Sequence, residues 1–209
     1  MENLRDKNGL TEEEFLAGYD ASRYPRPSVT VDNLIFAKKD GIKRVLLIRR
    51  GGHPCIGMWA LPGGFVSPNE TTEQASAREL FEETHLSGIT GRQLYTVSTP
   101  GRDKRTWTIS VCYLSHIDAD ALVVEADDDA ADAAWFEVTW NLLSADAAPG
   151  RQADTYALML TCGETVLTAK IAHIVVMNAY GETETVDILE NDGIAFDHAM
   201  LIARGLLAN

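Results

Sequence analysis

Hydrophobic and polar residues alternate along Ser28–Ala37 (SVTVDNLIFA), a stretch rich in β-branched side chains, and this period of two predicts a strand. Asp40-Gly41 marks a turn after it, and Arg44–Ile48 (RVLLI) reads as the hairpin partner. Upstream, Thr11 and Glu14 have the spacing of a capping box, which predicts a short helix over residues 11–18. Pro25 and Pro27 then force an extended linker. A stretch punctuated by Gly and Pro runs from Gly51 to Gly64, and residues 71–84, which lack both, fit a helix. Further strands are predicted at 93–98, 106–116 and 134–138, with the acidic tract Glu125–Asp132 as a loop between the last two.

Beyond residue 139 the texture changes. Ala157–Thr161, Glu164–Met177 and Thr183–Leu189 read as strands with Gly163 and Gly181 at the turns, and a last helix covers Phe196–Leu207. Strands alternating with two or three helices predict an α/β or α+β sandwich, its helices covering a mixed sheet. No internal repeat or low-complexity tract interrupts this order.

Composition narrows the class. A chain of 209 residues, 45% hydrophobic and 23% charged, suits one domain with a modest elaboration and a true core. Its 18 basic against 31 acidic residues, net -13, repel nucleic acid and argue against a sequence-independent grip on it. The same acidity suits either a solvated surface or carboxylates gathered for a divalent cation. Cys55, Cys112 and Cys162 stand far apart without a C-x-x-C pair, which argues against a disulfide framework or zinc site and for a reducing compartment. Met1–Glu14 lacks the apolar core of a signal peptide, and there is no apolar run of about 18 residues to span a membrane. A cytoplasmic protein is the expectation.

The candidate chemistry lies in Gly64–Leu86. At about 100° per residue, Glu79, Glu82 and Glu83 fall within an arc of roughly 100° on one helix face. Ala77, Leu80, Phe81 and Thr84 are expected to form the opposite, packing side. Ala75 and Ser76, one turn earlier, leave room for a ligand. Carboxylates four apart repel, as Glu79 and Glu83 must, and Arg78 can offset this by pairing with Glu82. A hard divalent cation with oxygen ligands would make sense of the crowding; a merely acidic solvent face is the alternative.

The segment resembles the Nudix box, G-x5-E-x7-R-E-U-x-E-E-x-G-U with U aliphatic. Gly64, Glu70, Arg78, Glu79, Leu80, Glu82, Glu83 and Leu86 match, and chance agreement has odds on the order of one in 10⁸ per start position, so the likeness carries weight. His85 stands where the family has its penultimate Gly, a change at the helix cap that leaves the ligands alone. The resemblance implies a Nudix α/β/α sandwich over residues 28–140, preceded by an N-terminal helix and linker (1–27). A β-rich insert and closing helix (141–209) would pack on the same domain, and the segment 140–192 has no counterpart in the pattern.

By the same resemblance, Glu79, Glu82, Glu83 and the Gly63 carbonyl would bind Mg²⁺ or Mn²⁺, Arg78 would orient a glutamate, and Glu70 would brace loop and helix. A base would come from the box or from a later acidic loop, where Glu125, Asp127, Asp128 and Asp129 are candidates. The flanking text (YPRPSVTVDNLIF, LLIRRGGHPCIGMWALPGGFV, IAFDHAMLI) is similar to ADP-ribose-type Nudix proteins and to the Nudix half of NrtR-type regulators, and Pro100, fourteen residues after Leu86, fits the first.

The implied activity is hydrolysis of the phosphoanhydride in a nucleoside diphosphate derivative such as ADP-ribose. An ADP-ribose sensor, or an enzyme for a nucleotide sugar or oxidised dNTP, are the alternatives. Regulators of that type carry a winged-helix domain after this helix, whereas 11 residues follow His198, so no nucleic-acid partner is expected. Arg49, Arg50, Arg102 and Arg105 are candidates for phosphate recognition through forked donors, or are surface arginines with carboxylate neighbours. Trp59 and Phe65 are read as packing residues, and His53, His116, His173 and His198 as structural. Strands in the insert would need edge partners, which makes a homodimer an expectation.

Overall fold

The computed structural model describes residues 4–118 and 133–208. The N-terminal segment holds α1 (Glu12–Ala17), capped by Thr11 and Glu14 through the reciprocal bonds of a capping box, and a 3₁₀ turn at Ala21–Arg23. The chain then enters the sheet with β1 (Ser28–Lys39) and β2 (Ile42–Arg49), followed by two short strands, β3 (Trp59–Ala60) and β4 (Gly63–Phe65). At two and three residues these are too short to register as periodicity, so the Gly51–Gly64 stretch hid them.

Helix α2 (Thr72–Thr84) follows, then β5 (Arg92–Val97), β6 (Thr108–Asp118), β7 (Ala133–Ala148), β8 (Arg151–Cys162), β9 (Thr165–Asn178), β10 (Gly181–Asp192) and α3 (His198–Leu207). The strand order is β10-β9-β8-β7-β2-β1-β6-β5, with β3 on β2 and β4 on β1. Only the β1–β6 pairing among these is parallel, so the sheet is mixed, as the sequence predicts.

Strand β1 shows why the sandwich has three layers. An alternating strand ordinarily leaves one face to water, yet Val31–Ala37 are all buried, because helices cover both sides. Ile35 packs with Leu80 and Leu86 on the α2 side. Leu34 and Phe36 point to the other face, into a cluster with Ala199, Leu201 and Ile202 of α3. Helix and strand approach so closely there that a Cβ on Gly205 would lie 2.4 Å from Leu34 Cδ2.

The strands after residue 139 extend the sheet rather than decorate it. β7 pairs with β2 through Ala133–Glu137 and then continues against β8 through Ala148, so residue 140 lies inside one strand. Leu158, Leu160, Leu167, Ile171 and Val186 from β8–β10 join the α3 cluster. After β10 the chain returns: Trp59 N–H donates to the Gly193 carbonyl at 2.9 Å, and Ala195 N–H donates to the Trp59 carbonyl at 2.7 Å. That return delivers residues 196–198 to the region of β3 and β4. Among the described residues no helix is long and apolar enough to cross a membrane. The three cysteines are free thiols, and burial pushes that of Cys112 up.

Candidate active site

Helix α2 starts at a capping box, Thr71 with Gln74, and ends at His85, whose left-handed backbone (φ 56, ψ 10) supplies the turn that the family's Gly would make. Its buried residues are Ala75, Ser76, Leu80 and Thr84. Two expectations for this helix are therefore corrected. Ala77 and Phe81 face solvent, and Ala75 and Ser76 are packed against the sheet instead of leaving ligand space. The Ser76 hydroxyl donates to Asn33 Oδ1 at 2.5 Å, and Ala75 meets Val31 and Tyr113. The packing arc is thus rotated toward the acids, and Glu79 and Glu83 flank it.

β4 is shaped to receive them. A Cβ on Gly64 would lie 2.5 Å from the Glu79 carboxylate, and one on Gly63 would lie 2.1 Å from the Val31 carbonyl oxygen. Only glycine permits either approach. Gly63 N–H donates to Glu83 Oε2 at 2.7 Å.

Arg78 organises the other acids. It donates to Glu70 at 2.7 and 3.1 Å, to Glu79 at 2.8 Å, to Glu82 at 3.0 Å, and to the Phe65 carbonyl at 3.0 Å. Glu70 also accepts from Ser67 N–H, and these bonds, Arg78 foremost, hold its carboxyl at about 2. Glu83 behaves oppositely. Burial pushes its pKa up to about 7, with Glu79 and Asp32 adding like charge, while the Gly63 N–H and Arg50 oppose the shift.

In front of β4 lies a cavity of about 220 Å³ lined by Asp32, Arg50, Gly63, Gly64, Phe65, Arg102, Asp103, Arg105, Phe196 and His198, among others. Arg50 donates to the Pro54 carbonyl at 2.8 Å and sits 4.9 Å from the Phe196 ring centroid. Arg102 is nearly buried, and its fork grips Asp197 at 2.6 and 2.7 Å. Arg105 pairs with Asp103 at 2.7 Å and lies 5.3 Å from the centroid of the half-exposed Phe65 ring. Arg49 donates to the Gly57 carbonyl and does not line this cavity. Thus three of the four arginines converge, two of them already engaged by carboxylates. Glu125, Asp127, Asp128 and Asp129 lie outside the described residues.

Several lining residues escaped the sequence reading. Asp32 is buried in the middle of an apolar strand and accepts a short hydrogen bond from Ser110 Oγ; a carboxylate interrupting VTVDNLIF was the available signal. His198, read as structural, lies against the cavity with Nδ1 accepting from Leu61 N–H at 2.8 Å and Nε2 3.4 Å from Asp32 Oδ1. Phe65 lines the cavity rather than packing in the core, whereas Trp59 does pack, edge-on to Phe136 at 4.7 Å.

The donors suit a hard cation: all are oxygens, three carboxylates (Asp32, Glu79, Glu83) influence one another, and Gly64 leaves room beside the Glu79 carboxylate. Among the described residues, however, no three acids already surround one point. Arg78 holds Glu79 and Glu82, and Glu83 is turned to Gly63, so a bound cation has to draw these carboxylates from existing partners.

Known proteins share this architecture. The structure of a MutT/nudix family protein from Enterococcus faecalis matches with a TM-score of 0.67 at 30% identity, covering 95% of this chain and 69% of that one. The NUDIX domain of Shewanella oneidensis NrtR complexed with ADP ribose matches with a TM-score of 0.58 at 25% identity, covering 95% and 99%. An ADP-ribose pyrophosphatase of Methanocaldococcus jannaschii is 40% identical over 115 residues, 55% of this chain and 64% of that protein. The chain spans between about a third and two thirds of the length of the curated relatives it matches. A family model for the NUDIX domain matches residues 26–159, and with the box, the sandwich and the glycine-cleared carboxylates in agreement, the chain belongs to that family.

Proposed function

We propose that this protein is a Mg²⁺- or Mn²⁺-dependent pyrophosphohydrolase that splits the phosphoanhydride of a nucleoside diphosphate derivative, with ADP-ribose as the first candidate. The observation that carries the reading is the approach of two α2 acids to β4, Glu79 into the room left by Gly64 and Glu83 to the Gly63 N–H, beside a cavity with arginines on its wall. Glu79, Glu82, Glu83 and the Gly63 carbonyl would hold the cation. When bound, it would supply charge neutralisation of the diphosphate and a lowered pKa for the attacking water.

The chain's own groups account for the rest. Arg78, braced by Glu70, fixes the direction of Glu79 and Glu82. Arg50 and Arg105 bring positive charge to the cavity where phosphates would lie, and Phe65 and Phe196 give it aromatic walls. Water forms a bond to one phosphorus, the bridging oxygen leaves with the bonding pair, and a carboxylate takes the water's proton. Glu125 and Asp127–Asp129 remain the proposed source of that base. Two phosphate monoesters result.

The test is a panel of ADP-ribose, nucleotide sugars and oxidised dNTPs with Mg²⁺ and phosphatase-coupled phosphate detection. The expected result is fastest turnover of ADP-ribose; turnover of none of them refutes the reading. A second reading, an ADP-ribose sensor, draws on Arg78's hold on two box glutamates and on the likeness to the NrtR domain. It is favoured if ADP-ribose raises the melting temperature without being cleaved. Assembly as a homodimer is also proposed, because β10 leaves a twelve-residue strand at the sheet edge. A monomer mass at high concentration in light scattering would exclude it.

A further inference from the structure

We propose that His198 is a positioning residue for this site: it fixes the Leu61–Gly64 turn and the Asp32 carboxylate at one point, and so sets the glycines against the α2 glutamates. The inference rests on the reading of the cavity as a nucleotide site, but its spectroscopic test does not.

The bonding pattern defines the ring's state. His198 is 4% exposed at the first turn of α3. Nδ1 accepts from Leu61 N–H at 2.8 Å, so it carries no proton, and the neutral imidazole must then carry its proton on Nε2. Nε2–H faces Asp32 Oδ1 at 3.4 Å. Asp32 Oδ2 is held from the other side by Ser110 Oγ, so both carboxylate oxygens have a donor toward them. The ring therefore ties together three parts of the chain: the turn before β4, the interior of β1 and the beginning of α3.

The turn it holds is the one that matters. Two residues after Leu61 comes Gly63, whose N–H binds Glu83, and then Gly64, which makes room for Glu79. Pro62 is fixed in parallel, its carbonyl accepting from Asn33 N–H at 2.7 Å. Releasing Leu61 N–H would leave a buried donor without a partner and free the turn to shift. A displacement of about 1 Å in such a constellation is enough to lower a rate by roughly a hundredfold. A packing residue would need neither bond, and an apolar side chain would fill the same space.

The two arms can be cut separately. Asn at 198 offers an acceptor near the Nδ1 position and loses the donor to Asp32; Gln reaches the Nε2 position and loses the acceptor for Leu61. We expect His198→Gln to lower kcat for ADP-ribose at least tenfold, and His198→Asn to lower it less, with KM changed by under threefold in both. His173→Gln, on the β9 strand and paired with Glu184, serves as a control with unchanged turnover. Equal turnover in wild type and His198→Gln overturns the proposal, as does a loss that only follows the melting temperature.

¹⁵N spectra of the histidines give the independent reading. The ring, whose Nδ1 accepts from Leu61 N–H and whose Nε2 faces Asp32, is expected as the Nε2–H tautomer. A protonated Nδ1 in the wild-type protein overturns the proposal whatever the substrate. If no substrate is hydrolysed, the tautomer alone decides: an Nε2–H ring with an unprotonated Nδ1 supports the proposal, and a protonated Nδ1 refutes it.

Discussion

The two long helices lie on opposite faces of one sheet and divide the work unequally. α2 buries four residues of thirteen and offers its remaining arc to carboxylates; α3 buries seven of ten, and almost its whole circumference is packed. α2 concentrates charge at the cavity, and its acids repel one another. α3 supplies the apolar mass that joins β1, β5 and β6 to β8–β10, yet its first residue reaches the same cavity. The chemistry and the core thus belong to different elements, and substitutions should separate them.

The largest stability effect is expected on α3. Leu201→Ala should cost about 2–5 kcal/mol, read as a lower denaturant midpoint, while turnover per folded molecule stays near normal. If it abolishes turnover while fully folded, the division of labour is wrong. Glu79→Gln and Glu83→Gln should do the reverse, reducing kcat by roughly a hundredfold or more without loss of the fold. Glu82→Gln should cost less, since its side chain is 55% exposed. Wild-type rates at saturating Mg²⁺ would remove α2 from the chemistry.

Gly64→Ala should follow, with a rate loss of about tenfold, because the new methyl would displace the Glu79 carboxylate. An unchanged rate would mean that the close approach has no role. His85→Gly should be the mildest change, raising stability by about 1 kcal/mol by relieving a left-handed backbone, with activity untouched.

The pH dependence sharpens the same contrast. The folded Glu83 carboxyl is raised to about 7 from 4.5, chiefly by burial. Between those values the folded state binds more protons than the unfolded one, so this group's contribution falls as pH rises through the window and is unfavourable above it. In chelator, Glu83→Gln should therefore melt above wild type at pH 8 and close to it at pH 4. Equal melting differences at both pH values would contradict the shift.

How much of this was legible in the sequence differs between the helices for a physical reason. α2 announced itself, since eight spaced residues of distinct chemistry fix a motif, and Gly-free periodicity gave its limits within one residue. The direction of its packing face did not follow from hydrophobicity, because Phe81 is exposed while Ser76 and Thr84 are buried through hydrogen bonds. Among the later strands β9 was placed within one residue, whereas β7, β8 and β10 were drawn short: β7 runs through Asn141, Ser144 and Asp146, polar positions that end an apolar pattern without ending backbone pairing. Asp32 and His198 were missed because each looks ordinary alone. Only the fold brings residues so far apart in sequence into one bonded group.

That distance has a consequence for biosynthesis. The bond between Leu61 and His198 spans 137 residues, and the Trp59–Gly193 contact closes a loop of similar length. A nascent chain leaving the ribosome carries both glycines of β4 and all of its box acids long before the imidazole that fixes them is available. During most of translation the acidic helix would sit beside an unfinished hollow, unable to seize nucleotide or ion in the final arrangement. On the proposed reading, competence for ligand would come abruptly, with the docking of α3.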